Sequence, residues 1–475
     1  MQKLPLIAHS ALNKTIAWRK GAPVSVEQFL ADVAYLTATL PAGKHVLNVC
    51  RDRYHFAVGF AAALVSNKVS LLPPTHTPEM VQQLQAFAAD VFCLHDNKDC
   101  DIALPKLSYP VTPETSAQTQ HSHSKDLHSR GLYSKAQLLE ILLPEIPQID
   151  AKQLAAIVFT SGSTGTPVPH KKSWGSLVRN VQAQGERLGL ETNADYTILG
   201  TIPPQHMYGF ESSVLLPLQS GNVLSGEQPF YPADIAAALT DITAKRILVS
   251  TPLHLRLLLD AEMTLPKLSM VISATAPLST ALAHKVEVSL KAPLIEIYGS
   301  TETGQIATRR TTKTEQWQLL PDVRLSARDE RFWAEGGHVE IAVPLNDVIE
   351  PIDHDHFLLQ GRMQDIINIA GKRSSLGNLN HHLNSISGVI DGAFFMPDER
   401  SHDHVTRLCA CVVAPNLTTA QILAELRTRI DPVFLPRPLL FVESLPRNST
   451  GKLPRNALKK LISQHMRPNE AECNH

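Results

Sequence analysis

The 475-residue chain has no long hydrophobic run; the longest, near Phe56–Val65, falls far short of a bilayer span, so no membrane-crossing helix is expected. Its first residues, MQKLPLIAHS, lack the apolar centre of a secretory signal peptide. Neither sign of charge is in excess. The 44 Lys+Arg against 45 Asp+Glu leave a formal net charge of −1, which argues against a basic nucleic-acid-binding surface. The six cysteines (Cys50, Cys93, Cys100, Cys409, Cys411 and Cys473) have no metal or disulfide spacing and read as buried thiols. Cys409 and Cys411, in RLCACVVA, would share one face of a strand. No internal repeat is visible. What remains is a soluble, cytoplasmic globular protein, 43% apolar and 19% charged. It is too long for one compact core, so two or three domains are expected.

Between about 150 and 300, short apolar runs alternate with helix-like segments. LAAIVF (154–159) is followed by a glycine-rich stretch. Trp174, Leu177, Val178 and Val181 then recur at helical spacing, with Ser173 placed as a cap. RILVS (246–250), a helix through Leu259, MVISATA (270–276), a helix from about Leu278 to Leu290, and LIEIYGS (294–300) continue the rhythm. The spacing predicts an α/β fold: a large domain with mostly parallel sheets flanked by helices, its ligands at the carboxyl ends of the strands. A second unit begins near Gly361. Its runs SSLGNLNHHLNSI, VIDGAFFM, TRLCACVV, TAQILAELRTRI and PLLFVESL predict a small α+β domain. The polar stretch 109–131 carries His121, His123 and His128, but no carboxylate or cysteine set completes a metal site there, and it reads as a solvated loop.

The stretch FTSGSTGTPVPHKK (159–172) packs two glycines among serines and threonines directly after an apolar run. Glycine lets main-chain amides close on a ligand, and the hydroxyls add donors, so the loop reads as a phosphate cradle or, alternatively, as a plain flexible turn. A helix starting near Ser173 would add its positive end to the field. No Gly-Lys-Ser/Thr closes the loop, so it is not a Walker motif. Three further segments favour the cradle. YGSTETG (298–304) sets Glu302 in a small-residue turn, where a carboxylate could hold Mg²⁺ against phosphate oxygens with Thr301 donating a hydroxyl. GRMQDIINIAGKR (361–373) and LPRNSTGKLPR (445–455) carry basic residues among glycines.

Taken in order, these segments resemble the adenylate-forming superfamily of acyl- and aryl-CoA synthetases, luciferase-like enzymes and stand-alone adenylation domains. The resemblance covers about 150 to 455. It implies that a carboxylic acid attacks the α-phosphate of ATP to give an acyl-adenylate, and that a thiol of coenzyme A or carrier-protein phosphopantetheine then takes the acyl group. It further implies an ATP- and acid-binding domain over 1–361 and a mobile domain over 362–475 that rotates about a hinge at Gln364. Residue by residue, Thr160, Ser161, Gly162, Ser163, Thr164 and Gly165 match the family's phosphate loop. Tyr298, Gly299, Ser300, Thr301 and Glu302 match its second nucleotide motif, with Glu302 the Mg²⁺ ligand. Ser273, Ala274, Thr275, Ala276 and Pro277 match the segment that packs on adenine and lines the acid pocket. Arg362 matches an arginine that meets ribose or phosphate, and Lys452 the lysine bridging carboxylate and α-phosphate. The acid pocket would involve His206, Met207, Tyr208 and Gly209; aromatic Tyr208 and compact Gly209 would suit a flat or narrow acyl group.

The sequence also departs from the family pattern. Val168 and Pro169 stand where Lys-Gly is usual, so that charge must come from Lys171 or Lys172 or be absent, Lys171 being the first candidate. No Thr-Gly precedes Asp347, the nearest counterpart of the ribose-binding aspartate, and Asn368 holds a place often taken by lysine. No charged residue in the pocket segments awaits a substrate ammonium group, so an aryl or fatty acid is expected rather than an amino acid. The alternative to a ligase is a catalytically degenerate nucleotide-binding regulatory or scaffold protein of the same fold.

Overall fold

The computed structural model describes residues 2–109, 145–161, 167–190, 192–329, 331–362, 366–369, 372–396, 408–448 and 453–465. The histidine-rich stretch expected as a solvated loop therefore lies outside the described residues for all but its first position. Two sheets dominate. The first has six strands, in the order Pro167–Ser173, Leu154–Ser161, Val69–Leu72, His45–Asn48, Phe92–His95, Lys106–Ser108. All neighbours are parallel except the pair formed by Leu154–Ser161 and Pro167–Ser173. Strands covered on both faces read as continuous apolar runs, and Val69–Leu72 and Phe92–His95 are buried along their whole length.

The second sheet has eleven strands. Its centre is the parallel run Val223–Ser225, Tyr196–Gly200, Lys245–Ser250, Met270–Ser273, Leu294–Ser300. Beyond Leu294–Ser300 it continues antiparallel through Gly304–Arg309, Trp317–Leu319, His356–Arg362 and Asp347–Pro351. Ser173 caps Trp174–Arg187 as expected; Thr251 caps Pro252–Asp260, and Ser279 caps Thr280–Leu290, which starts two residues after Leu278. The helix Arg53–Val65 is fastened to the second sheet by Arg53, which is fully buried and donates to the carbonyls of Gly200, Ile202 and Glu227 at 3.1, 2.8 and 2.7 Å. Among the described residues no helix is long and apolar enough to cross a membrane.

The C-terminal segment builds its own core. Strands Asp391–Phe395, Cys409–Val413 and Leu439–Phe441 form a sheet, and Ala410 and Val412 pack on one side with Leu379, Leu383, Ile422 and Leu426. Cys409 and Cys411 point to the other side, against Leu458 and Ile462 of the helix Arg455–His465. Both thiols are buried and free, and burial raises each to about 11.

One expectation is corrected. The helix after the glycine loop does not point its positive end at the loop. Residues Pro167–Ser173 form a strand that runs back along Leu154–Ser161, Pro167 opposite Ser161 and Ser173 opposite Leu154. The helix therefore starts about 20 Å from the loop, at the far end of the hairpin. Its dipole, which acts over the first turn, contributes nothing to a phosphate held by the loop.

Candidate active site

At the carboxyl edge of the sheets, two segments distant in sequence come together. Thr160, at the end of Leu154–Ser161, shares a hydrogen bond of 2.9 Å with His170 Nε2 on the returning strand. The same nitrogen lies 3.6 Å from Glu302 Oε1. His170 thus bridges the start of the glycine loop and the YGSTETG turn. Burial lowers the affinity of His170 for a proton, with Lys172 adding to the effect and Glu302 opposing it. Gly162, Ser163, Thr164 and Gly165 lie outside the described residues, and of Ser161 only the backbone is described.

The turn itself is tightly built. Ser300 pairs with Gly304, and Thr303 Oγ1 accepts from the Ser300 amide at 3.1 Å. Glycine is required twice. A side chain at Gly299 would begin 2.2 Å from the Gly304 carbonyl, and one at Gly304, whose φ is +75°, would begin 2.1 Å from Asn180 Nδ2. Within this frame the Glu302 side chain remains 39% exposed. On the other side, Tyr298 Oη donates to Asp347 Oδ2 at 2.6 Å, and Asp347 pairs in register with the backbone of Arg362. The fold therefore gathers Thr160, Tyr298, Glu302, Asp347 and the main chain of Arg362. Gln364 and Lys452 lie outside the described residues.

At the end of the neighbouring strand Met270–Ser273, Ser273 is fully buried and Thr275 has a φ of +79°. Among the described residues Thr275 is the one β-branched residue in the left-handed region, a strained conformation that clusters at functional sites. In the pocket segment, His206 caps a short helix, its Nδ1 accepting from the Tyr208 amide at 3.3 Å. Met207 and Tyr208 are buried, and Tyr208 Oη donates to the Ser250 carbonyl at 3.2 Å. Gly209 departs from the reading as a compact pocket wall: a side chain there would begin 2.2 Å from the Pro203 carbonyl, so its smallness serves backbone packing.

Beneath the turn lies a layer of buried charge, of which the sequence indicated Lys172 as a candidate but not Glu211 or His338. Lys172, 6% exposed, donates from Nζ to the Glu302 carbonyl at 2.9 Å. Lys171, the first candidate for the missing post-loop charge, is exposed on the opposite face of the strand, because neighbouring residues alternate sides. The lysine delivered to this turn is Lys172. Glu211, 2% exposed, accepts from Asn180 Nδ2 at 2.8 Å and from Gln305 Nε2 at 3.3 Å. Burial pushes its carboxyl up to about 7, against the pull of Lys172 and Gln305. Lys172 is lowered by burial and supported by Glu211, Glu302 and Glu340. Burial, with Lys172 adding, holds His338 down to about 4. The available signal was a pair of lysines on an alternating strand and a lone glutamate inside the apolar run MYGFESSVLL.

In a two-sheet α/β chain of this kind, turns along the carboxyl edge of the parallel strands are where a ligand is held. Residues 13–331 match the model of the AMP-binding enzyme family, and the chain belongs to that family. It is 29% identical over 297 residues to a 4-coumarate–CoA ligase of Rhodobacter capsulatus, covering 62% of this chain and 74% of that one. A 4-coumarate–CoA ligase of Halorhodospira halophila is 31% identical over 304 residues, covering 62% and 73%. A 3,4-dihydroxybenzoate–[aryl-carrier protein] ligase of Bacillus anthracis is 22% identical over 323 residues, covering 65% and 74%. The fold is shared with ATP-bound MatB from Rhodopseudomonas palustris, with a TM-score of 0.75 at 18% identity over 97% of this chain and 98% of that one. It is also shared with an anthranilate CoA ligase in complex with anthranoyl-AMP, with a TM-score of 0.78 at 14% identity and the same coverage.

Proposed function

We propose that the protein uses ATP and Mg²⁺ to activate an aryl or fatty carboxylic acid, and passes the acyl group to coenzyme A or to carrier-protein phosphopantetheine. In the first step a carboxylate oxygen bonds to the α-phosphorus and the bond to pyrophosphate breaks. In the second a thiolate sulfur bonds to the acyl carbon and AMP leaves. The first step joins two anions, so positive charge must be fixed where negative charge develops. The observation that best supports the reading is the meeting of Thr160 and Glu302 across His170. Glu302 offers an open, hard oxygen of the kind Mg²⁺ takes, and the ion would neutralise phosphate oxygens. Tyr298-held Asp347 suits the ribose, and Arg362 lies beside it in register. Lys452 is assigned to the attacking carboxylate and α-phosphate from its motif, carried by a C-terminal domain over 362–475 that moves relative to 1–361. The ligases of 4-coumarate and 3,4-dihydroxybenzoate among the relatives favour an aryl acid.

The test is acid-dependent exchange of pyrophosphate into ATP across a panel of aryl and fatty acids, followed by thioester detection with coenzyme A and with phosphopantetheinylated carrier protein. Lys452→Ala should abolish the exchange while the protein stays folded; undiminished exchange would remove Lys452 from its role. ATP binding without turnover on any acid would favour the regulatory alternative.

A further inference from the structure

Two opposite charges lie buried under the turn that carries Glu302, and neither reaches the open edge where ligands would bind. Lys172 holds the turn at one point, through the Glu302 carbonyl at 2.9 Å. Glu211 holds the strand leaving the turn at another, through Gln305 at 3.3 Å, and is itself oriented by Asn180 at 2.8 Å. Asn180 in turn fills the space that a side chain at Gly304 would occupy. A lone ammonium or carboxylate this deeply buried would lose its charge, and Glu211 and Lys172 each oppose the effect of burial on the other. With its main chain fixed from below, the turn leaves the Glu302 side chain projecting, 39% exposed, toward His170 and Thr160.

We propose that Lys172 and Glu211 are a buried pair of positioning residues that fixes the 300–305 turn and so aims the Glu302 carboxylate. This rests on the reading of Glu302 as the Mg²⁺-facing group. The pair holds the protein side of that contact, as outer-shell partners do for metal ligands generally.

The test is a double-mutant cycle on the full chain: Lys172→Met, Glu211→Gln and both together, each read in two ways. Each single variant leaves one buried charge without its counterpart and should lower the urea denaturation midpoint. The double variant leaves neither and should recover most of that loss. Midpoint losses that simply add would refute the pair. The second readout is the Mg²⁺ concentration needed for ATP to raise the midpoint, which requires no turnover. In the refolded double variant it should increase about ten- to a hundredfold. A wild-type Mg²⁺ requirement there would refute the positioning role. If no acid supports pyrophosphate exchange by the wild-type protein, the ligase reading fails, and the two midpoint readouts still decide the pair.

Discussion

Replacing Gly304 by alanine is the most direct perturbation of the turn that does not touch a charge. The added methyl carries two costs. Gly304 has a φ of +75°, where an L side chain costs about 1–2 kcal/mol. The new Cβ would also stand 2.1 Å from Asn180 Nδ2 and 3.1 Å from Glu211 Oε1, so Asn180 must leave its place. Its 2.8 Å bond to Glu211 is then lost, and a buried carboxyl deprived of a donor costs about 1–3 kcal/mol. The expected destabilisation is about 2–5 kcal/mol, a large part of the stability of an ordinary domain. Urea denaturation followed by circular dichroism measures it. The two costs separate in a cycle with Asn180→Ala. In the Asn180→Ala background the 2.1 Å clash is gone and only the 3.1 Å approach to Glu211 Oε1 remains, so Gly304→Ala should then cost little beyond the backbone part, about 1–2 kcal/mol. A loss below about 1 kcal/mol in the wild-type background, or an equal loss in both backgrounds, would show that the clash does not govern this position.

Three further predictions concern the same region. His338 is neutral in the fold, its pKa held near 4 against an ordinary 6.5. The unfolded chain therefore takes up the proton first, and the fold loses stability as pH falls from about 6.5 towards 4, by about 3 kcal/mol at most. His338→Asn should flatten the fall of the denaturation midpoint over that window, and an unchanged slope would show that His338 does not contribute. Glu211 runs the other way: with its pKa raised to about 7, its contribution is present below 4.5 and fades as pH rises through 7. Tyr298→Phe removes the 2.6 Å bond to Asp347 and should raise the KM for ATP about tenfold with kcat little changed; an unaltered KM would separate Asp347 from nucleotide binding.

The strands and helices of the parallel core were legible because each carries its own signal: an apolar run, then a Ser or Thr cap at Ser173, Thr251 or Ser279. Cys409 and Cys411 fell on one face for the same local reason, the two-residue period of a strand. The strand Pro167–Ser173 was not legible. It is the edge of its sheet, where two prolines can be accommodated and one side faces solvent, so it shows no apolar alternation. Missing that strand placed the helix dipole at the wrong end of the hairpin. The buried layer was hidden for a different reason. Lys172 meets a carbonyl 130 positions away, and Glu211 meets Asn180 across 31 and Gln305 across 94. A charged residue states its need for a partner in the sequence, but only the fold supplies the partner.

This long-range construction bears on what the edge can do. An exposed carboxylate held only by its own loop would have to be ordered when the ligand binds, and that ordering subtracts from affinity and from catalysis. Here the Glu302 main chain is fixed by Lys172, the following strand by Glu211 through Gln305, and the preceding strand by Tyr298 bonded to Asp347. The contacts come from a neighbouring hairpin, a helix of the large domain and the antiparallel extension of the sheet, so the turn cannot shift without disturbing three elements at once. Next to it, Thr275 is held at a φ of +79°, a conformation that costs about 1–3 kcal/mol and persists only where its surroundings impose it. Buried charge and backbone strain both lie along the carboxyl edge of the parallel strands, where they fix groups in advance of the ligand, and such preorganisation is what electrostatic stabilisation of a charged transition state requires.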